Sequence, residues 1–486
     1  MAGIVLFRPK YVDVNLQSYD IPWGLLYVSS ILVKEGYSVR IIDEFVTPDW
    51  QDLVLEEIAK KPIIFGVSSM TGIQIKYGLN FASFVKKFSD IPVVWGGIHS
   101  SLLPAQTLKN QNVDFAVIGD GEETIVELVR ALEEKSGFDK IKGLAFKQGS
   151  EIFINDSRPM IELDNIPVIP YDLIDMNSYF TKRLGRKRVI TMLSSRGCLH
   201  RCKFCYNNVV NNRTWRSFSL DRIFGNLHEL IEKYNIDGVF WTDDNFFQDK
   251  KRVNNIAERI IKEKIDIKWG AQGRIDYLHS YDQDFIDLLK GSGLHTVNLG
   301  VESGSDRVLK AISKDITRQQ VIEVKIRLTK NDIYQNYFFM FGFPGETDDD
   351  IFQTAELIYQ LISEKSFLFD IYGPSLYTPY PGTELFDESV KMGFKPANTL
   401  EGWIKMNWLE LNLPWFSRSS RTKIENISWN IRGVSSNFGP VIFRYFLFKL
   451  FLLVRLGVVI PCFEKNVLFF GVKIIQKIKR LLKLNK

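Results

Sequence analysis

The stretch Ser195-Arg-Gly-Cys198-Leu-His-Arg-Cys202-Lys-Phe-Cys205-Tyr206 decides how the rest of the sequence is interpreted. This stretch contains three of the chain's four cysteines, and the three span only eight residues. A short loop with CxxxCxxC spacing can wrap three thiolates around one metal centre, and cysteine is the usual ligand of a [4Fe–4S] cube. Three ligands leave one iron open, and an open iron can chelate a small molecule through an amine and a carboxylate.

Two other interpretations remain open on spacing alone. One is a structural zinc site closed by His200 or Cys462, because structural zinc usually has four protein ligands. The other is a set of buried, unreactive thiols. Three cysteines so close together in the sequence do not form the spaced pattern of a disulfide framework. The segment Met1–Phe7 has neither the charged region nor the cleavage site of a signal peptide. We therefore expect a reducing, cytoplasmic compartment.

Short apolar runs alternate with helical patterns along most of the chain. Five early runs predict buried strands at Ile4–Phe7, Val39–Asp43, Ile63–Ser69, Val93–Trp95 and Phe115–Ile118. This alternation predicts an α/β fold that begins with a doubly wound parallel sheet, whose ligands bind at its C-terminal edge. Six later runs predict a partial parallel barrel with strands at Val189–Ser194, Gly238–Thr242, Lys268–Gln272, Thr296–Gly300, Tyr334–Phe341 and Asp370–Leu376. The cysteine loop follows the first of these strands, on the face where such barrels carry their chemistry.

The pattern divides the chain into four segments. The doubly wound domain is predicted over 1–145, a Pro- and Asp-rich linker over 146–185, and the barrel over 186–395. A mainly helical region with basic amphipathic helices is predicted over 396–486.

Small residues follow three strands of the first predicted domain. Ser68 begins Ser-Ser-Met70, Gly96-Gly97 follows the fourth strand, and Gly119-Asp-Gly-Glu122 follows the fifth. Small side chains at one sheet edge allow the close approach of a large ligand such as a nucleotide tail. A generic flavodoxin-like domain also needs glycines at these turns, so spacing alone leaves the ligand open.

The second region resembles the radical SAM family. The cysteine loop has the family's spacing and its aromatic residue, Phe204, before the last cysteine. Four further motifs follow successive strands in the family's order: Trp241-Thr-Asp-Asp-Asn245, Gly300-Val-Glu302-Ser303-Gly304, Gly342-Phe-Pro-Gly-Glu346 and Pro379-Tyr-Pro-Gly-Thr383. Together these motifs cover about residues 185–390.

The resemblance implies that Cys198, Cys202 and Cys205 hold a [4Fe–4S] cluster whose open iron binds S-adenosylmethionine (SAM). It implies one-electron reduction of SAM and formation of a 5′-deoxyadenosyl radical. An electron donor such as flavodoxin or ferredoxin would supply the electron.

The same resemblance implies the contacts to SAM. Asp243 and Asp244 would lie near the methionine amine, with a helix cap and a solvated turn as the alternative. Glu302 or Ser303 would contact the ribose, with a polar strand end as the alternative. Arg274 would neutralise the methionine carboxylate, with a surface ion pair as the alternative.

The first region resembles the Rossmann-like cobalamin domains that are fused to radical SAM barrels. The residues that carry this resemblance, and that would contact cobalamin, are Ser68, Gly96, Gly97, Gly119 and Glu122. The family's Asp-x-His-x-x-Gly element is absent, because the corresponding stretch is Asp20-Ile-Pro-Trp-Gly-Leu. We expect His99, on the Gly-Gly loop, to pack or to contact the nucleotide tail rather than to bind cobalt.

These features predict a cobalamin-dependent radical SAM methyltransferase that acts on an unactivated carbon. Two SAM molecules would be used per turnover, one giving a methyl group to cobalt and one giving the radical. The alternative with the same cofactors is a cyclase or rearrangement enzyme, as in anaerobic porphyrin-ring cyclases of the family. The alternative of another class is a non-catalytic, zinc-stapled binding protein.

Charge is concentrated at the C-terminus. Ten Lys or Arg and one acidic residue lie between Phe443 and Lys486, whereas the remaining 52 basic residues face 56 acidic ones. An acidic body argues against nucleic-acid binding. The last segment places five aliphatic residues, Ile474, Ile475, Ile478, Leu481 and Leu482, opposite Lys473, Lys477, Arg480 and Lys483. This pattern predicts an interfacial helix on the inner face of an anionic membrane, and hence a lipid-like substrate; the alternative is a helix packed on the barrel.

Overall fold

A computed structural model describes residues 3–12, 20–363, 368–406, 413–435 and 440–456 of the chain. Two seven-stranded sheets and the helices that cover them form the framework. The α/β fold class is confirmed, because both predicted sheets form from the apolar runs that predict them.

The first sheet has five strands paired in parallel, extended at one edge by an antiparallel hairpin. Its strands are β1 (Gly3–Arg8), β2 (Ser38–Asp43), β3 (Ile64–Ser68), β4 (Val93–Gly96), β5 (Phe115–Val117), β6 (Leu144–Gln148) and β7 (Glu151–Ile154). Its helices are α1 (Trp23–Lys34), α2 (Gln51–Ala59), α3 (Ile73–Phe88), α4 (Ile98–Leu102), α5 (Pro104–Leu108) and α6 (Glu122–Glu134). The spatial order is β2-β1-β3-β4-β5-β6-β7, and it reverses at β1 and β3. Ligands of such sheets bind beyond the carboxyl ends of the strands at this reversal.

The first sheet continues beyond residue 145, where the sequence places the end of the first domain. The boundary falls inside β6, which pairs antiparallel with β5 and, through a turn at Gly149, with β7. Gly149 has a positive φ of 63°, which glycine adopts without strain. The added hairpin covers the edge of β5, which would otherwise present unpaired backbone groups. The sheet therefore ends at Ile154.

The second sheet is an open, curled barrel. Its strands, with those of a separate two-stranded hairpin, are β8 (Thr181–Arg183), β9 (Arg186–Met192), β10 (Ser195–Gly197), β11 (Trp215–Ser217), β12 (Gly238–Trp241), β13 (Lys268–Arg274), β14 (Leu294–Glu302), β15 (Tyr334–Phe341) and β16 (Phe369–Leu376). The strand order is β16-β15-β14-β13-β12-β9-β8. The strands β9, β12, β13, β14, β15 and β16 are parallel, and β8 pairs antiparallel with β9. The strands β10 and β11 form the separate antiparallel hairpin.

Helices lie between and after the barrel strands along the chain. They are α7 (Asn207–Val210), α8 (Leu220–Tyr234), α9 (Lys250–Lys262), α10 (Ile275–Ser280), α11 (Gln283–Gly291), α12 (Asp306–Ala311), α13 (Arg318–Lys330), α14 (Asp348–Ser363) and α15 (Glu384–Lys391). Side chains that accept a backbone N–H cap many of them: Ser219, Asp249, Asp282, Ser305, Thr317 and Thr383. Such a cap contributes about 1 kcal/mol and fixes where the helix leaves the preceding loop.

Two helices follow the barrel, α16 (Arg418–Ser435) and α17 (Pro440–Leu456). The helix α16 packs against β16, and α17 packs against α14 and α16. Among the described residues, no helix has both the length and the apolar character needed to cross a bilayer. The predicted interfacial helix over 473–483 and Cys462 lie outside the described residues.

Candidate active site

The carboxyl ends of the two sheets face each other across one cavity. It has a volume of about 380 Å³ and is lined by residues of both domains. The first domain contributes, among others, Gly24, Tyr27, Ser68, Gly96, Gly97, Gly119, Asp120 and Glu122. The barrel contributes Ser195, Arg196, Tyr206, Asn211, Thr242 and Asp244, among others. The two regions that the sequence presents separately therefore share one site.

The three cysteines lie on the loop between β10 and α7, directly before Tyr206 of the cavity wall. All three are free thiols, and Cys202 is the most deeply buried of them. The backbone N–H of Cys205 donates to the carbonyl of Cys202 at 3.0 Å, and Asn208 Nδ2 donates to the same oxygen at 2.8 Å. These bonds hold the loop in a tight turn.

The chemistry of these thiols fits an iron–sulfur cluster. Burial raises the pKa of Cys205 to about 12 and also raises the pKa of Cys198. Thiolates at this place therefore need positive charge beside them, and a bound metal centre supplies such charge.

The structure gives no geometric support to a single-ion site that includes His200. The Nε2 atom of His200 lies 3.0 Å from the Tyr277 hydroxyl. Within the described ranges, no three His, Cys, Asp or Glu side chains converge closely enough to hold one metal ion. A cube of four irons separates its ligands more widely than a single ion does.

Arg274 ends β13 and is buried beside the cysteine loop. Its Nη1 donates to Cys202 Sγ at 3.1 Å, and its Nε donates to Asp276 Oδ1 at 2.9 Å. The side chain is only 5% exposed, so it does not form a surface ion pair. It places a permanent positive charge beside the thiols.

Asp243 and Asp244, which are adjacent in sequence, have different surroundings. The Asp243 side chain is fully buried, and its oxygens accept hydrogen bonds from Ser194, from the Ser195 hydroxyl and from Arg252 Nη2 at 2.5–3.1 Å. It supports the cysteine loop from inside the protein. Asp244 lines the cavity, where its Oδ2 accepts from the backbone N–H of Gly197 at 2.8 Å. Asp244 is exposed to the cavity. The protein around it nevertheless keeps water away from its carboxyl, and this desolvation raises the pKa of that group.

Glu302 ends β14 at a bulge. Its φ of 69° is unusual for a residue with a side chain, and the register with β15 shifts between Gly300 and Glu302. Its Oε1 accepts from Lys314 Nζ at 2.7 Å in a buried ion pair. A Cβ on Gly300 would lie 2.5 Å from Glu302 Oε1 and 2.9 Å from Lys314 Nζ, so a side chain there would displace the ends of both side chains of this ion pair.

Ser303 has its hydrogen bonds within the protein. Its hydroxyl lies 3.1 Å from the Thr354 hydroxyl and accepts from the backbone N–H of Ser305 at 3.1 Å. The residue is fully buried. Of the two predicted ribose contacts, Ser303 is thus internal, and Glu302 is held by Lys314.

Glu346, in the motif after β15, gives a prediction about pH. Its Oε2 accepts from the backbone N–H of Gly342 at 2.5 Å, Oε1 has no partner among the described residues, and burial raises its pKa from 4.5 to about 8. The folded protein therefore retains a proton that the unfolded chain releases, so stability should fall as the pH rises from about 4.5 to 8.

We expect Glu346→Gln to reduce this pH-dependent loss of unfolding free energy by roughly 1–3 kcal/mol, since one unit of pKa shift corresponds to about 1.4 kcal/mol. Urea unfolding of the holoenzyme at pH 5 and pH 8 measures the effect. The matched control is Glu384→Gln at an exposed ion pair. A fall in stability that is equal in wild type and Glu346→Gln would contradict the prediction.

The first-domain residues that the sequence singles out meet at the same cavity. Gly97 has a φ of 94°, and a Cβ there would lie 2.8 Å from the Ser69 carbonyl oxygen. A Cβ on Gly96 or Gly119 would meet no atom within 4 Å. Bare backbone therefore borders open space at this edge, which fits a large ligand such as cobalamin.

Among the residues that the structure describes, no histidine lines this cavity or the adjoining one. The second cavity, of about 400 Å³, is bordered by Arg8, by Met70 and by residues 20–25, the stretch that lacks the family's histidine. His99 instead contacts Thr71 through Nδ1 at 2.9 Å and packs edge-on against Trp403. Burial lowers its pKa to about 4. It packs in the interior, as the sequence analysis expects.

Several residues of the site are absent from the sequence-based set. They are Arg196, Arg216, Arg252, Lys314 and Tyr206. The only sequence signal for Arg196 and Tyr206 is their position within and directly after the cysteine motif. The others reach the site from helices, loops and hairpins, so no motif identifies them.

Comparison with known families supports the same division of the chain. The model of the Radical SAM superfamily matches residues 192–358, and the model of the B12 binding domain matches residues 10–129. The first match lies within the barrel region and the second within the first domain, and each includes residues that line the cavity. They assign the chain a [4Fe–4S] cluster, SAM and cobalamin as cofactors.

Individual relatives extend over most of the chain. An uncharacterized methyltransferase of Pyrococcus horikoshii is 32% identical over 395 residues, which is 80% of this chain and 80% of the relative. An anaerobic magnesium-protoporphyrin IX monomethyl ester cyclase of Rubrivivax gelatinosus is 25% identical over 76% of this chain and 66% of the relative.

The fold is also that of a solved structure. The radical SAM methyltransferase TsrM of Kitasatospora setae, solved with tryptophan and a SAM analogue, superposes with a TM-score of 0.67 at 18% identity, over 82% of this chain and 78% of TsrM. Since the family models, the Pyrococcus relative and the shared cavity agree, the chain belongs to the radical SAM superfamily, as an enzyme with an N-terminal B12-binding domain.

Proposed function

We propose that this enzyme transfers a methyl group from SAM to an unactivated carbon of a small hydrophobic substrate. The observation that carries the proposal is the cavity shared by the glycine-lined edge of the B12-binding domain and by Asp244 of the barrel. When bound, the cluster supplies an electron to SAM and cobalamin supplies a carrier for the methyl group. The names of the Pyrococcus relative and of TsrM as methyltransferases support this reaction.

The chain's own residues would hold the cluster, SAM and cobalamin in fixed positions relative to one another. Cys198, Cys202 and Cys205 would hold the cluster, while Asp244 would accept hydrogen bonds from the methionine amine. Arg274 would neutralise the methionine carboxylate, and Glu302, oriented by Lys314, would contact the ribose. The residues proposed to cradle cobalamin are Ser68, Gly96, Gly97 and Gly119. Glu122, also predicted as a contact, is buried instead, and its Oε1 accepts from Arg196 Nη2 at 2.6 Å.

Among the described residues, the linings of both cavities contain no histidine. The segment Asp20–Leu25, where the family's histidine would stand, borders the second cavity. This segment would therefore hold cobalamin without offering it an imidazole, which supports a role of cobalamin as the methyl carrier.

Anaerobic reconstitution tests the proposal. The holoenzyme with SAM, reductant and cobalamin should form S-adenosylhomocysteine as well as 5′-deoxyadenosine, and the substrate should gain the mass of one CH₂ group. We propose flavodoxin or ferredoxin as the physiological electron donor. Formation of 5′-deoxyadenosine alone would contradict methyl transfer. It would favour a cyclase or rearrangement enzyme, an alternative supported by the Rubrivivax relative.

We also propose that α17 brings the enzyme to an anionic membrane surface, from which a lipid-like substrate would be taken. Tyr445, Phe448 and Phe451 are exposed aromatic residues on this helix, whereas Phe446 and Leu450 pack inward. The 30 residues after Leu456 contain seven Lys or Arg and one acidic residue. Exposed aromatic side chains beside a basic segment are typical of interfacial anchors.

Flotation with anionic liposomes measures this contact. We expect wild type to float and the double variant Phe448→Ser/Phe451→Ser to lose most of the floating fraction, because the variant removes apolar area that would insert among the lipids. The control is Phe88→Ser, at an exposed phenylalanine on α3. Equal flotation of all three proteins would contradict the proposed role of α17.

A further inference from the structure

Four charged side chains meet between the two domains and form what we call the interdomain charge cluster: Asp120, Glu122, Arg196 and Arg216. The two acids lie at the end of β5 and the start of α6, and the two arginines lie on the β10–β11 hairpin. Arg196 Nη2 donates to Glu122 Oε1 at 2.6 Å, and its Nη1 donates to Asp120 Oδ1 at 3.2 Å. Arg216 Nη1 donates to the other oxygen of Asp120 at 2.6 Å.

The β10–β11 hairpin depends on the Asp120 carboxylate, which belongs to the first domain. Arg196 and Arg216 are directly opposite each other in the β10–β11 pairing. Like charges in that position repel, and each is largely buried. Asp120 has one oxygen on each arginine and so neutralises the repulsion. Docking of the first domain and the conformation of the hairpin are therefore coupled.

The interdomain charge cluster lies next to the cysteine loop, because Arg196 precedes Cys198 by two residues. The neighbours of Arg196 are fixed to the barrel: the Ser195 hydroxyl donates to Asp243 at 2.5 Å, and the Gly197 backbone N–H donates to Asp244 at 2.8 Å. Cys198 follows directly. On the opposite side, Glu122 lies close to Gly119 at the edge that would cradle cobalamin. Arg196 thus connects the borders of the two cofactor sites by a short, buried path.

We propose that Arg196 is a positioning residue that sets the separation between the bound cobalamin and the iron–sulfur cluster. The kinetic part of this inference rests on the proposed methyl transfer, whereas the separation itself does not. Misplacing reacting groups by about 1 Å can lower a rate by roughly 100-fold. An arginine suits the task, because its planar fork contacts two carboxylates at once and lysine offers only a point charge.

The experiment compares holoenzymes of wild type, Arg196→Gln, Arg196→Lys and Glu122→Gln. Dipolar broadening of the cob(II)alamin EPR signal by the reduced cluster reports the separation without any substrate. Iron and cobalamin contents report whether both sites still load. The matched control is Arg158→Gln, which removes an arginine that is paired with Glu123 and Glu127 of the same helix α6 but does not contact the hairpin.

We expect Arg196→Gln and Glu122→Gln to load both cofactors and to give a broadened distribution of separations, with Arg196→Lys between them and wild type. S-adenosylhomocysteine formation should fall by about 10- to 100-fold, while 5′-deoxyadenosine formation stays near that of wild type. The Arg158→Gln variant should resemble wild type in every readout. If Arg196→Gln fails to fold, Glu122→Gln still tests the inference, since it leaves the cysteine loop unchanged.

A wild-type distribution of separations in Glu122→Gln, or in a folded Arg196→Gln, would overturn the inference. Equal broadening in Arg158→Gln would overturn it as well, because the effect would then not be specific to the interdomain charge cluster. A wild-type enzyme that forms no S-adenosylhomocysteine would instead contradict the proposed methyl transfer. The EPR comparison would still test Arg196.

Discussion

Replacing Cys205 by alanine is expected to reduce SAM cleavage to the level of a protein-free blank. Two thiolates cannot hold a cube whose fourth iron must stay open for SAM, so the cluster should be lost or should fail to reduce SAM. Iron content and 5′-deoxyadenosine formation after anaerobic reconstitution measure the two effects. We expect the same outcome for Cys198 and Cys202.

The control for this prediction is Cys462→Ser, at the cysteine that lies outside the CxxxCxxC loop. It should keep both iron content and SAM cleavage at wild-type levels. Loss of the metal in Cys462→Ser, together with a retained metal in Cys205→Ala, would reverse our assignment of the ligands.

Replacing Gly96 by valine is expected to weaken cobalamin binding by about tenfold or more while leaving the cluster intact. Gly96 lines the cavity, and a Cβ there would point into open space rather than into protein. The folded protein can therefore accept the side chain, whereas a ligand that fills that space cannot; overpacking typically costs about 1–3 kcal/mol. Spectrophotometric titration with cobalamin gives the affinity.

The matched control is Gly225→Val on the exposed surface of α8, where a Cβ also meets no atom within 4 Å. It should leave cobalamin affinity and iron content unchanged. Equal affinities of Gly96→Val and wild type would mean that cobalamin does not approach the end of β4, which would remove the main support for the proposed cobalamin cradle.

Most parallel strands were predictable because each contains a short apolar run, such as Val93–Trp95 or Tyr337–Phe341. The β6–β7 hairpin was missed, because the apolar run of β6 is only three residues long, Leu144–Phe146, and β7 is largely exposed. Its turn, Gln148-Gly149-Ser150, carries a glycine signal that could have indicated it.

The position of the candidate site was predictable, but the surroundings of its side chains were not. Motifs that follow parallel strands must lie at one edge of the sheet, which places Gly96 and Asp244 at the cavity. Whether Asp243 or Asp244 faces that cavity depends on the path of one loop. The partner of Glu122 is 74 residues away in the other domain, and no local pattern in the sequence encodes such a contact.

The buried carboxylate of Asp243 has an evolutionary consequence. Ser194, Ser195 and Arg252 all donate to it, so the loss of any one member leaves the others with unmet hydrogen bonds or an uncompensated charge. Substitutions at these four positions should therefore show strong epistasis. Descendants of this enzyme should keep or exchange the four residues together, and a homologue with an apolar residue at the Arg252 position should also have lost the carboxylate.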